Sequence, residues 1–373
     1  MTPETHLRIG MIAPISHRFP PDGYGPWERV CHDLTEGLVS LGHEVVAFAP
    51  AGSVTSAKLT ETVPSSLDRA QTQSLPDPRV WEEFHLAQAI SQAVELELDV
   101  IHSHLHVHAL GFARLIPMPL VTTLHGAAWN RSHHLLLRAF REQPFVSLSE
   151  SERRFLPELN YVATVSNGIR LDDFPLGGGG EGLVFVGRMA PEKAPELAIE
   201  VARRAGTGLT LAGGIEEKHR EFFDGKVRPH LSDRSIEYVG ALSRSEVARL
   251  VGESGGLVMP LRWDEPFGLV VVESLAVGTP VIAWRRGAMP ELIRDGSTGF
   301  LVDDVDGAAA AAADELSAID RGRCRREAEL RFGHGTMAEG YVDAYRRAIG
   351  QAISARTSSR EAVATRTPMS EKP

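Results

Sequence analysis

Two cysteines in 373 residues leave this chain without a disulfide framework. Cys31 and Cys324 stand far apart and show no metal-type spacing, so they read as reduced thiols in a cytosolic protein. No apolar run approaches the ~18 residues that would suggest a membrane span, and the opening Met1-Thr-Pro-Glu-Thr-His lacks the charged-then-apolar layout of a secretory leader. An excess of basic charge is also missing. The formal net charge of −10 argues against a general nucleic-acid binder and gives no attraction to an anionic membrane. Short-period repeats are absent. With 43% hydrophobic and 24% charged residues, the composition is that of an ordinary globular protein. The length exceeds what one hydrophobic core usually sustains, so two domains are expected.

The apolar pattern alternates strand with helix. Leu7-Arg-Ile-Gly-Met-Ile-Ala13 reads as a buried first strand, and a loop rich in Pro and Gly, Phe19 to Pro26, leads into a helix capped by Gly42. Glu44 to Ala49 is the next strand. Residues 51–78 are polar and turn-rich and read as an insertion or lid outside the core. A helix over 81–97 precedes a strand at 99–103, and strands near 120–124, 145–148 and 161–165 complete an alternating half. Four consecutive glycines, Gly177 to Gly180, mark the clearest boundary and read as a flexible hinge. The rhythm then restarts with strand 182–187, helix 194–205, strand 208–212 and strands near 236–239, 256–259 and 280–283. An alanine-rich helix covers 308–313, and the Ser-, Thr- and Arg-rich residues from about 354 read as a disordered tail.

One stretch concentrates chemistry. Glu265-Pro-Phe-Gly-Leu-Val-Val-Val-Glu273 sets two carboxylates eight positions apart across a loop-to-helix junction, where Pro266 is tolerated at a helix start. A helix opening near Phe267 would turn the amides of Phe267, Gly268 and Leu269 into an anion site at the positive end of its dipole. Glu273 would lie roughly 9 Å further along, six residues at 1.5 Å each. Carboxylates suit sugar hydroxyls because each accepts several charge-assisted hydrogen bonds. Arg188 and Lys193, five apart in a loop after a strand, could neutralise a diphosphate leaving group as its charge develops. Ala241 and Leu242 follow a strand in the same half and are candidates for backbone contacts to a base. The acidic pairs Asp172-Asp173 and Asp303-Asp304 read as turn or helix-start residues rather than as an Asp-x-Asp metal site.

Together these segments resemble the retaining glycosyltransferases of the GT-B fold, family 4 (glycosyl transferases group 1). Glu265 and Glu273 match the Glu-x7-Glu signature. Val186-Gly-Arg188-Met-Ala-Pro-Glu-Lys193 matches the strand-end Gly-Arg with its downstream Lys. Pro290 to Val302 and the closing Arg331 to Arg347 segment are similar to the family's C-terminal elements, so the likeness covers residues 7 to 350. The resemblance implies an α/β fold of two Rossmann-like domains facing across a cleft. Residues 1–175 would bind the acceptor, with a closing helix at about 336–352 packed back on them, and residues 176–335 would bind a nucleotide-sugar donor. It implies a hexosyl transfer from a nucleoside-diphosphate sugar to an acceptor hydroxyl with retention, no cofactor, and no metal where Arg188 and Lys193 supply the charge. UDP is preferred over GDP on family frequency, while the acidic balance and the lack of a long apolar run favour a small soluble acceptor over a lipid.

By the same resemblance Glu265, His125, Arg188 and Lys193 are the candidate catalytic residues. Glu265 holds sugar hydroxyls, Glu273 the ribose, and His125 in Val121-Thr-Thr-Leu-His125-Gly126 reaches the transferred sugar. Gly25 matches the first glycine of the family's phosphate-facing loop, but Pro26 occupies the second position and has no N–H to offer. The run His102, His104, His106 and His108 could cluster on one strand face. No acidic or cysteine ligand joins it, and the family pattern turns to helix there, so these histidines are expected to scatter without a metal. Arg131 to Arg141 reads as a core-facing helix with a basic solvated side in preference to a membrane contact. Two alternatives stay open: an epimerase of nucleotide sugars, and a non-catalytic nucleotide-sugar-binding regulatory protein.

Overall fold

Runs of β-branched and aliphatic residues bounded by Gly, Pro and Asp build strands buried on both faces, the mark of a parallel sheet covered by helices. The structure, a computed structural model, describes residues 6–23, 25–70 and 77–364. Seven strands form the first sheet: β1 (Arg8–Ile12), β2 (Glu44–Pro50), β3 (Lys58–Val63), β4 (Val100–Ser103), β5 (Leu120–Thr123), β6 (Phe145–Ser147) and β7 (Tyr161–Thr164). Their order is β3-β2-β1-β4-β5-β6-β7, and every pairing is parallel. The second sheet holds β8 (Leu183–Val186), β9 (Leu209–Ala212), β10 (Ile236–Gly240), β11 (Gly256–Met259), β12 (Val281–Trp284) and β13 (Gly299–Val302) in the order β10-β9-β8-β11-β12-β13, again parallel throughout. Strand order reverses between β1 and β4 and between β8 and β11. Ligands of open α/β sheets collect beyond the carboxyl ends of strands at such switch points.

The two halves are tied at their seams. The helix Pro26–Ser40 starts on Pro26 and ends where Gly42 turns left-handed at φ +87°, with the amide of His43 donating to Leu38. Against it packs the long helix His334–Ala364, whose Met337, Ala338, Tyr341 and Tyr345 join the core of the first half. The chain thus crosses back to its first domain at the end. Ser149 of the first half donates to the carbonyl of Pro266 in the second, and Glu291 of the second accepts the amides of Glu150 and Ser151.

Three expectations change. Residues 58–63 are no lid: Lys58-Leu-Thr-Glu-Thr-Val63 pairs with β2 as the edge strand, with its Thr62 hydroxyl donating to Ala49. Residues 71–76 lie outside the described residues. The glycine run is no loose hinge either. A Cβ at Gly180 would sit 1.9 Å from the carbonyl oxygen of Glu253, and one at Gly177 would sit 2.3 Å from that of Gly252. Gly177 and Gly179 donate to Val277 and Gly252, and Arg321 bonds the same carbonyls, so the glycines permit a close backbone seam. Finally, the closing helix continues past 354 to Ala364, and the remainder of the expected tail lies outside the described residues.

Candidate functional site

The switch point of the second sheet, between β8 and β11, delivers two charged loops to one cleft. After β8, the Gly187 amide holds Ala212 and the Lys193 and Ala194 amides return to Ala190, a tight turn that keeps Arg188 and Lys193 on one side. After β11, the loop to Gly268 carries Trp263 and Glu265. Glu265 is pinned at its backbone by Trp263 and Ala288. Lys193 Nζ forms an ion pair with Glu265 Oε2, and the same oxygen accepts the Trp263 indole N–H at 2.9 Å. The ammonium also lies 5.1 Å from the Trp263 ring centroid. Arg188 is held at 2.9 Å by Glu192 and at 3.1 Å by Glu216. Both cations are therefore pre-positioned by carboxylates rather than left extended in solvent.

The helix Leu269–Ala276 opens two residues later than expected, capped by Gly268 in a left-handed conformation at φ +107°. The amides of Phe267, Gly268 and Leu269 precede its own hydrogen-bond ladder, and all three residues line the cleft. Glu273 follows one turn deeper. Burial raises its pKa, Arg244 opposes that, Asp33 adds to it and Arg29 opposes it again. Arg244 itself lies 3.3 Å from Asp173 and 3.7 Å from Asp33, with its guanidinium over the Phe174 ring.

The first half closes the cleft with a different surface. Gly25 and Pro26 line it. A Cβ at Gly25 would lie 2.8 Å from Pro21, so this glycine is required by close approach, while Pro26 takes the first helical position. His125 lies two residues beyond β5, at φ +47°, and is buried. Its Nε2 meets His104 Nδ1 at 2.8 Å. Burial, then neighbouring His104 and His106, hold its pKa well below the ordinary value, so the ring is neutral. The next amide, Gly126, donates to buried Glu152, which also accepts Leu148; burial raises the Glu152 carboxyl to about 7.

The cleft offers about 370 Å³, within the usual range for small-molecule sites. It brings together Gly25, His125, Arg188, Lys193, Leu242, Glu265, Phe267, Gly268, Leu269 and Glu273. Ala241 stands apart: it is exposed beside the lining residue Leu242. The expected scattering of histidines does not occur. His102 and His104 rings pack at 4.2 Å, His104 and His125 at 5.0 Å, and His106 and His125 at 6.3 Å, and the paired strands β4 and β5 end side by side there. Among the described residues no group of three or more His, Cys, Asp or Glu could hold a metal. Asp304-Val-Asp306 does follow β13, yet Asp304 caps the next helix through Gly307 and Asp306 pairs with Arg204. In the basic segment from Arg131, the helix is only His134–Ala139, with Leu137 buried and Leu135 exposed.

Sequence reasoning missed Arg29, Arg244, Trp27, Trp263 and Asn167, all of which line the cleft. Trp27 and Trp263 adjoin residues already singled out, and their proximity to Pro26 and Glu265 was a usable signal. Arg244 and Asn167 gave none, since only the fold brings them to the site.

Residues 27–173 match the Glycosyltransferase Family 4 description and residues 173–329 match Glycosyl transferases group 1. The chain belongs to the GT-B glycosyltransferases of family 4. A glycogen synthase of Mycobacterium tuberculosis is 27% identical over 377 residues, covering 86% of this chain and 90% of that protein. Among solved structures, a glycosyltransferase involved in avilamycin A biosynthesis superposes with a TM-score of 0.70 at 24% identity, covering 92% of this chain and 98% of its own. Anabaena HepE, solved with UDP and glucose, gives 0.65 at 16% identity over 90% and 98% of the two chains. These likenesses show the GT-B fold, and this glycosyltransferase places its cleft between the two sheets. None of its described helices is long and apolar enough to cross a membrane.

Proposed function

We propose that this glycosyltransferase moves a hexose from a nucleoside-diphosphate sugar to an acceptor hydroxyl with retention and without a metal, acting in the cytoplasm. The observation that carries this reading is the Lys193–Glu265–Trp263 cluster beside Arg188, at the carboxyl ends of β8 and β11. Arg188 and Lys193 bind the diphosphate, and the Phe267 to Leu269 amides and Glu265 face the sugar. Glu273 holds the ribose, with the Ala241-Leu242 segment near the base and the Gly25 loop across the phosphates. A UDP-sugar is favoured, in keeping with the UDP and glucose held by the HepE fold relative.

Neutral His125 serves as a hydrogen-bond partner for a sugar hydroxyl. We read the transfer as one without a covalent intermediate, in which the bond from the anomeric carbon to the diphosphate oxygen breaks first. The acceptor oxygen then bonds to that carbon on the same face, and its proton passes to the departing phosphate oxygen. Charge grows on the diphosphate, where two pre-positioned cations are most useful. The acceptor is a small soluble molecule in preference to a lipid.

A thermal-shift screen against UDP-, GDP-, ADP- and dTDP-sugars tests the donor. A ligand at 100 times its dissociation constant adds roughly 2.7 kcal/mol of stability. Turnover with the selected donor should survive exhaustive EDTA treatment; loss of activity restored by manganese or magnesium overturns the metal-independent reading. Product anomer assignment by NMR tests retention.

A further inference from the structure

The acceptor side of the cleft is rich in aromatic rings. Trp27 lines it and remains 43% exposed, its ring edge-on to His106 at 4.6 Å and 6.5 Å from His125. Trp129, four residues beyond His125, is 45% exposed and stands perpendicular to Trp263 of the opposite half at 5.4 Å. Indole faces left in water at a cleft rim cost apolar burial that folding otherwise captures. The same side carries Asn167, 4% exposed and lining the cleft, whose side-chain oxygen has no hydrogen-bond partner. A buried acceptor without a partner is costly, and it asks for an O–H or N–H donor from a ligand.

From these features we propose that the acceptor is a neutral saccharide, with one sugar ring against the Trp27 indole and a hydroxyl donating to Asn167. A pyranose fits both halves of this surface. Its axial C–H bonds form an apolar face for an indole, and its rim hydroxyls both donate and accept. A phosphate group fits neither, because its dianion has no proton for Asn167 and offers the indole no apolar face. Arg29 donates to the Pro21 carbonyl, and Arg244, whose guanidinium nitrogens make no hydrogen bond among the described residues, has its charge offset by Asp33 and Asp173 at 3.7 and 3.3 Å. His104, His106 and His125 are held neutral first by burial and then by neighbouring histidines, so they supply no charge. An alkyl chain would use the tryptophans but leave Asn167 unpaired.

This inference rests on the transferase reading above, and the two can fail separately. The full chain is assayed for release of nucleoside diphosphate from the donor found by thermal shift. The acceptors are methyl glycosides of glucose, galactose and mannose, maltotriose, glucose 6-phosphate, and octanol in detergent. Neutral saccharides should raise release roughly tenfold or more over the water background. Trp27→Ala should raise the saccharide KM by about tenfold with the donor KM within about twofold, and Trp27→Phe should restore most of the loss. Urea melts of both variants keep folding apart from binding. Stimulation only by glucose 6-phosphate or octanol overturns the proposal, as does an unchanged saccharide KM in Trp27→Ala. Slow donor hydrolysis that no saccharide accelerates also sinks it while sparing the transferase reading. If no nucleotide sugar binds or is consumed, the transferase reading falls and this proposal with it.

Discussion

The wall of the cleft built from β8 and β11 is charged, and the wall built from β1, β4 and β5 is neutral. On the first, Arg188, Lys193, Glu192, Glu216 and Glu265 are interlocked before any ligand arrives. On the second, imidazoles, indoles and hydroxyls share hydrogen bonds: His102 joins Thr123 and Tyr345, and Thr123 joins Tyr341 of the closing helix. On the function proposed above, the difference follows from what each wall would do. A leaving diphosphate gathers charge and benefits from fixed cations, whereas an acceptor hydroxyl must be oriented without being ionised. Carboxylates on the charged wall keep its cations placed until the ligand competes for them.

Breaking the charged wall should have the largest effect. A hydrogen bond to a charged group contributes roughly 1.5–3 kcal/mol, and each 1.36 kcal/mol is about tenfold in rate. Lys193→Ala should therefore lower turnover by roughly ten- to a few hundred-fold and raise donor KM less. Arg188→Ala should act similarly, and the double variant should lose less than the product of the two, since both serve one diphosphate. Steady-state kinetics within about twofold of the parent for either residue would mark it as a surface cation and displace the donor site.

The neutral wall should instead show itself through pH. Glu152 holds the turn after His125, and burial raises its carboxyl from the ordinary 4.5 to about 7. A folded-state pKa above the unfolded value means stability is fully present below about 4.5 and is lost as pH rises through about 7. Glu152→Gln cannot ionise. Its stability deficit relative to the parent should shrink by roughly 2 kcal/mol between pH 5 and pH 8 in urea titrations. The histidines titrate identically in both proteins and cancel in this difference. A pH-independent gap would mean the carboxylate keeps its charge at little cost.

The contrast between walls also explains what could be read in advance. Arg188 and Lys193 sit in one short loop after β8, and Glu265 and Glu273 span the loop and helix after β11, so spacing and strand ends located each pair. The neutral wall depends on contacts far apart in the chain. His102 meets Tyr345, Thr123 meets Tyr341, and His104 meets His125. No local pattern carries such pairs, and the expectation that the histidines scatter failed for that reason. The edge strand β3 was missed because its Lys-Leu-Thr-Glu-Thr pattern is polar, as suits an exposed sheet edge. The glycine run was read as freedom because composition does not reveal what lies within 2.3 Å of a missing Cβ.

The two glutamates sharpen the charged wall from within. Glu273 lies deep, in the field of Arg29, Arg244 and Asp33, whereas Glu265 shares Lys193 and Trp263 near the sugar position. Glu273→Ala should weaken binding of the free nucleoside diphosphate by about tenfold, the loss of a ribose contact of roughly 1.5 kcal/mol. Glu265→Ala should leave that affinity within about threefold and chiefly lower turnover of the nucleotide sugar. Calorimetry giving the reverse pattern would turn the ligand end for end.

Pro26 stands where the two walls meet, and its effect should be the smallest. It occupies the first position of the helix Pro26–Ser40, where an N–H has no intrahelical partner, so the ring removes nothing the fold uses. It also fixes φ for Trp27's approach to His106, behind a Gly25 that is pressed against Pro21. Pro26→Gly would supply a new amide to the cleft while loosening the helix start. If the charged wall already carries the diphosphate, the added donor is redundant, and UDP affinity by calorimetry should stay within about twofold. The unfolded chain gains freedom, so stability should fall by about 1 kcal/mol in urea. An affinity gain of roughly tenfold would instead show that the proline withholds a phosphate contact. The neutral wall would then be an unfinished part of the donor site, and the division between the two walls would fail at the residue that joins them.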